Sequence, residues 1–172
     1  MIATPGNGGE RASLQAYLDR QRELVHWKLA GLSNDDARAV ATPSGLTVHG
    51  IVRHLENVER SWWRDVMVGE QGLSFDWTEA DPDGELHVPD DVALADLLDA
   101  YRAECARCDA AIADLPLDAL STRGDRSLRW VYLHLVEETA RHLGHLDLLC
   151  ELADGRTGED PGDGPVEGPA GA

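Results

Sequence analysis

The sequence predicts an all-α protein, a four-helix bundle with a long crossover between its second and third helices. Three observations carry that prediction. Four long stretches return an apolar residue at every third or fourth position, the spacing of helices that bury one face. A polar, Gly- and Pro-marked stretch at residues 71–89 breaks the period, and a connection this long suits a chain that must cross to the far end of a bundle. The length, 172 residues, suits one domain with a proper core.

Residues 1–9, with Pro5, Gly6, Gly8 and Gly9, are expected to form a flexible N-terminus. The bundle itself is expected over residues 10–155. Its first helix starts at Glu10 and carries the stripe Leu14, Leu18, Val25, Leu29 and Leu32, with Arg20, Arg22 and Glu23 mostly off it. The polar connector 33–45 offers Ser33 or Asn34 as the cap of one short helical turn and ends in Pro43-Ser44-Gly45. Thr47 is the expected N-cap of the second helix, which ends near Val68 before Gly69. Its apolar face comprises Val48, Ile51, Val52, Leu55, Val58, Trp62 and Val66, with His54 at the edge.

In the crossover, Phe75 and Trp77 are placed to pin the chain onto the bundle. Pro89-Asp90-Asp91 reads as the start of the third helix, since acidic residues suit the positive end of the helix dipole. Leu94, Leu98, Tyr101, Cys105, Cys108, Ile112 and Leu115 form its stripe, and Pro116 stops it. After a connector at 117–126, Ser127 caps the fourth helix, residues 128–152. The acidic, Gly- and Pro-rich residues 156–172 are expected to be a disordered tail.

A formal charge of −17 with no run of basic residues argues against nucleic acid and against an acidic membrane surface. No apolar stretch approaches bilayer length, and the first residues lack the charged-then-apolar pattern of a signal peptide, so the expected location is the cytoplasm. Three cysteines do not make a disulfide framework. Lys28 is the single lysine among 15 basic residues, a bias that fits a GC-rich bacterial genome.

The fourth helix carries the chemistry. Its seam reads Leu128, Val131, Leu135, Glu138, His142, His145, Leu149, Leu152, so a carboxylate and two imidazoles occupy core-facing positions. Such groups cost free energy inside a protein unless they are paired, hydrogen-bonded or bound to a metal. Glu138 and His142 are one helical turn apart and can reach one ion. His54 from the second helix would supply a third ligand, and three protein ligands leave a metal position open. The rival reading makes His54 partly exposed, Glu138 the partner of an arginine and His142 a satisfied core histidine. His134 and His145 have the spacing to replace a ligand in the same stripe, and His145 also suits a polar helper in catalysis.

Cys105 and Cys108 form a CxxC pair, but both fall on the apolar seam of their helix, where thiols pack as small hydrophobes. Trp62, Trp63 and Trp130 read as packing or as an aromatic wall near the metal. His26, His49 and His87 have no partner at ligand spacing.

The stretches VRHLENVERSWW at 52–63 and RWVYLHLVEETARHLGHLD at 129–147 resemble the DinB superfamily of bacterial metal-binding four-helix proteins. The nearer likeness is to the actinobacterial branch around mycothiol-dependent maleylpyruvate isomerase and its single-domain relatives. It spans roughly residues 10–158, and the HxxEETARHxGH pattern is specific to the branch. The resemblance implies an up-down-down-up bundle, often dimeric, with the metal ligands at His54, Glu138 and His142; the glutamate stands where the wider family has a second histidine. The isomerase carries an additional C-terminal domain without a counterpart here, so the expectation extends to thiol chemistry and not to maleylpyruvate itself.

The expected function is therefore that of a divalent-metal enzyme, with zinc ahead of nickel, iron or manganese. A low-molecular-weight thiol such as mycothiol would be the co-substrate, attacking a small electrophile by S-transfer or isomerisation. The competing expectations are a non-catalytic metal-stabilised binding module and a thiol-independent metal-assisted hydrolase.

Overall fold

The computed structural model describes Thr4, residues 6–39 and 42–158, and Pro161. Five α-helices follow one another: α1 (Glu10–Leu29), α2 (Asn34–Arg38), α3 (Val48–Glu59), α4 (Leu94–Ile112) and α5 (Leu128–Asp154). α3 continues into a π-helical segment, Arg60–Met67, and the crossover contains a 3-10 turn, Gly84–Leu86. Among the described residues there is no β-strand, only an isolated bridge between Leu120 and Ser127. The all-helical class expected from the sequence is the observed one, and α2 is the short turn of the 33–45 connector.

Local chemistry explains the starts of three helices. Ser33, Thr47 and Ser127 each accept a hydrogen bond from a backbone N–H three residues on, at Asp36, Gly50 and Trp130. α4 departs from expectation: it begins at Leu94, because Val92 N–H closes a turn on the Pro89 carbonyl. Its cap comes from a distant residue, since Leu94 N–H donates to Asn34 Oδ1 at 2.8 Å. The π segment also changes the expected face of its rod. Trp63 and Met67 are buried there, whereas Trp62 and Val66 are half-buried. On α4 it is Leu97 rather than Leu98 that is fully inside, and Leu152 on α5 is exposed.

The most extensive helix pairings are α1 with α5 and α3 with α4, and α3 also packs on α5. The buried apolar residues form two clusters. One gathers Val25, Leu29, Ile51, Leu55, Tyr101 and Leu146; the other gathers Leu18, Trp63, Cys108, Ile112, Tyr132 and Leu135. Between them, in sequence order along α1, α3 and α5, lie polar residues: Arg22 on α1, Glu59 on α3, and Glu138, Thr139 and His142 on α5; on α4 the buried Glu104 adjoins Cys105, the first cluster's last residue before Cys108 of the second. Arg22 is thus not off the buried stripe. It is 5 % exposed and grips Glu59 through two hydrogen bonds of 2.7 Å.

Part of the expected tail is described. Arg156 donates to the Lys28 and Ala30 carbonyls, and Lys28 Nζ to the Gly158 carbonyl, so 156–158 lie against the end of α1. The rest of the tail, apart from Pro161, and residues 1–3 and 5 of the N-terminus lie outside the described residues.

Candidate metal centre

His54 leaves α3 near the level where the two apolar clusters meet, three residues after Ile51 of one and four before Val58 of the other. Glu138 and His142 leave α5 at the same junction, after Leu135 and before Leu143. The helical period places Glu138 and His142 one above the other, and the α3–α5 contact brings His54 across to them. One ligand atom from each residue lies within 4.8 Å of the other two. Glu138 Oε1 is the hub, 3.3 Å from His54 Nε2 and 3.2 Å from His142 Nε2. Each side chain keeps 17–20 % of its surface, so the group is shielded but reachable.

The electrostatics follow from that crowding. Burial would push the Glu138 carboxyl up, but hydrogen bonds and charge from His54 and His142 outweigh it and hold the group below the ordinary carboxylate range. Burial, with the neighbouring His54 charge, lowers the His142 imidazole. Burial works the same way on His54, yet two carboxylates, Glu85 and Glu138, overcome it and raise that imidazole. The donor set fits a divalent cation. Two imidazole nitrogens and an ionised carboxylate oxygen converge from two helices, the ligand types of zinc, nickel, iron and manganese sites.

Two other histidines stay out of this group. His134 stacks on Trp130 at 5.1 Å between ring centroids and meets Trp62 edge-on at 4.5 Å. His145 is exposed, with its ring 5.3 Å from that of His142. His26 stacks on Tyr101, His49 is buried, and His87 stands exposed beside Asp81.

One neighbour was not foreseen from the sequence: Glu85, whose Oε1 is 2.6 Å from His54 Nδ1. It lies in the non-periodic crossover, where no spacing rule points inward. The only hint is Pro82-Asp83-Gly84 just before it, a cluster of turn formers that folds the strap back on itself. Asp76 of the same strap accepts from Asn57 Nδ2 at 2.8 Å, and Arg60 Nη1 donates to the Ser74 carbonyl at 3.2 Å. Phe75 and Trp77 stack on each other.

A protein-family model described as mycothiol-S-transferase matches residues 13–155. The chain belongs to the mycothiol S-transferase family. The match agrees with the likeness carried by the α3 and α5 motifs, and it contains all three convergent residues. No curated protein matches the chain. In this mycothiol S-transferase family member, burial pushes the thiols of Cys105 and Cys108 far above the ordinary range, and that of Cys150 up to about 11. All three are free, buried and without thiolate character at neutral pH. Beside the convergent group a cleft of about 600 Å³ opens between the π segment and the crossover. His54, Val58, Trp62, Trp77, Pro82 and Glu85 are among its walls.

Proposed function

We propose that the protein is a divalent-metal-dependent thiol S-transferase, with zinc as the first candidate ion and a mycothiol-like thiol as co-substrate. The observation that supports it best is the convergence of His54, Glu138 and His142, each with one ligand atom within 4.8 Å of the others, in a chain of this family. These three residues would hold the ion. Bound there, the cation favours the thiolate form of a thiol at neutral pH.

The remaining work falls to the chain's own groups. The indoles of Trp62 and Trp77 give the neighbouring cleft apolar walls that suit a small, mostly apolar electrophile and keep water from it. His145, exposed beside His142, takes the thiol proton to solvent. The sulfur then forms a bond to the electrophilic carbon while a leaving group departs with its electron pair. Isomerisation follows instead where the adduct is reversible and the sulfur leaves again. The buried cysteines provide no nucleophile. We infer in addition that the four long helices run up-down-down-up, the order that the long crossover supports.

Elemental analysis of protein purified without chelator, followed by conjugation assays with mycothiol and its analogues, tests the reading. One equivalent of a divalent ion and thiol-dependent turnover are expected. His142→Ala should lose both. Retention of a full equivalent by that variant, or equal turnover with and without thiol, would overturn the assignment.

A further inference from the structure

Two glycines mark close approaches, Gly50 where the crossover meets α3 and Gly84 where the crossover folds on itself. A Cβ on Gly50 would lie 3.1 Å from the Leu86 carbonyl oxygen, and one on Gly84 would lie 2.5 Å from the Asp76 carbonyl oxygen. The missing side chain at Gly84 lets the 3-10 turn Gly84–Leu86 fold this tightly, and the one at Gly50 lets it sit this near α3 without displacing the Leu86 backbone. Gly50 is one helical turn before His54, so the middle residue of the turn, Glu85, arrives at the imidazole.

Glu85 is set for that single contact. Its side chain keeps 11 % of its surface, Oε1 is 2.6 Å from His54 Nδ1, and Oε2 is buried with no hydrogen-bond partner. Leaving a carboxylate oxygen buried and unpartnered is unfavourable, so the placement needs a reason beyond local stability. The two ring nitrogens of His54 have different partners. Nδ1 meets Glu85, and Nε2 faces Glu138. An imidazole that donates Nδ1–H to a carboxylate keeps its lone pair on Nε2 and is a stronger ligand there. His142 lacks this support, for its Nδ1 is buried with no partner.

We propose that Glu85 is a positioning residue: it fixes the tautomer and ring orientation of His54 so that Nε2 is the atom offered to the cation. The inference rests on the metal reading above. It makes the crossover part of the site, which the strap supplies with a carboxylate behind a ligand as well as a cleft wall.

The test uses the full chain and its Glu85→Ala and Glu85→Gln variants, with zinc affinity measured by competition against a chromophoric chelator. Glu85→Ala should weaken zinc binding by about 10–100-fold. Glu85→Gln keeps the shape and one acceptor oxygen but not the charge, and should lose less. The cobalt-substituted proteins should differ in visible absorption, because the donor strength of His54 changes. Melting of the metal-free proteins separates this from a packing role, which would lower that melting temperature and leave zinc affinity and the cobalt spectrum unchanged. Such unchanged values in both variants would overturn the proposal while leaving the metal reading intact. A wild-type chain that takes up neither zinc nor cobalt would overturn both.

Discussion

Glu104 has no exposed surface, yet it faces Arg64 and Arg107 at 2.6 Å and Arg60 at 3.4 Å. Burial alone would raise its pKa; the guanidiniums outweigh that and hold it below the ordinary value of 4.5. A carboxyl depressed on folding adds stability above its unfolded pKa and loses it as pH falls through the folded value. Glu104→Gln is expected to cost roughly 3 kcal/mol at pH 7, the low end for breaking a buried ion pair, since Arg60 and Arg64 keep Glu56 and Glu70 as partners. The variant should also lose less stability than wild type between pH 6 and about pH 3, which urea titrations at several pH values would show. Residues of this kind were half legible. Arg22 stands four residues after Leu18 and three before Val25, and Glu104 falls between Tyr101 and Cys108, so helical spacing allows an inward position for both, although the sequence reading sets Arg22 mostly off the stripe. Charge argued the other way, and nothing along one helix names the partner on another. Glu138 and His142 stand on the core-facing spacing of α5, and their half-buried side chains meet His54 of α3.

Secondary-structure elements divide the same way between local and tertiary causes. The caps at Thr47 and Ser127 depend on a hydroxyl and a backbone N–H three residues on, so they could be read from the sequence. Thr47→Ala and Ser127→Ala should each cost about 1 kcal/mol, and because they share no partner the double variant should lose close to the sum. Chemical denaturation of the two single variants and the double variant would check it; a cost near zero for Ser127→Ala would mean that the bridge at Leu120 fixes that helix start without the hydroxyl. The π segment had no such local signature. Buried positions on this rod run Leu55, Glu59, Trp63, Met67, a step of four held over three turns. On an α-helix that step drifts by about 40° per turn, and wider turns absorb the drift so that Trp63 meets Tyr132 while Trp62 turns to the cleft. The α4 start was missed for a related reason: its cap, Asn34, lies far away in the chain.

Across the whole molecule, the polar residues form a layer between two apolar clusters, and the convergent group is the part of that layer beside the crossover cleft. The other charged residues of the layer are already paired: Arg22 with Glu59 ties α1 to α3, and Glu104 on α4 faces Arg64 of the π segment. His54 and His142 share one carboxylate oxygen, Glu138 Oε1, while Glu85 meets the other ring nitrogen of His54 and the exposed Arg141 stands 4.0 Å from Glu138 Oε2. A cation there would join α3 to α5 and complete the layer, so binding should stabilise the folded chain as well as equip it for chemistry. With free ion at 100 times its dissociation constant the gain is about 2.7 kcal/mol, or about 5–10 °C in melting temperature for a domain of this size. Chelation should reverse that shift in wild type and leave His142→Ala, already without its ion, where it was. A melting temperature indifferent to both chelator and added zinc in wild type would mean that the layer is complete without metal, with Glu138 serving only as the shared acceptor of two histidines.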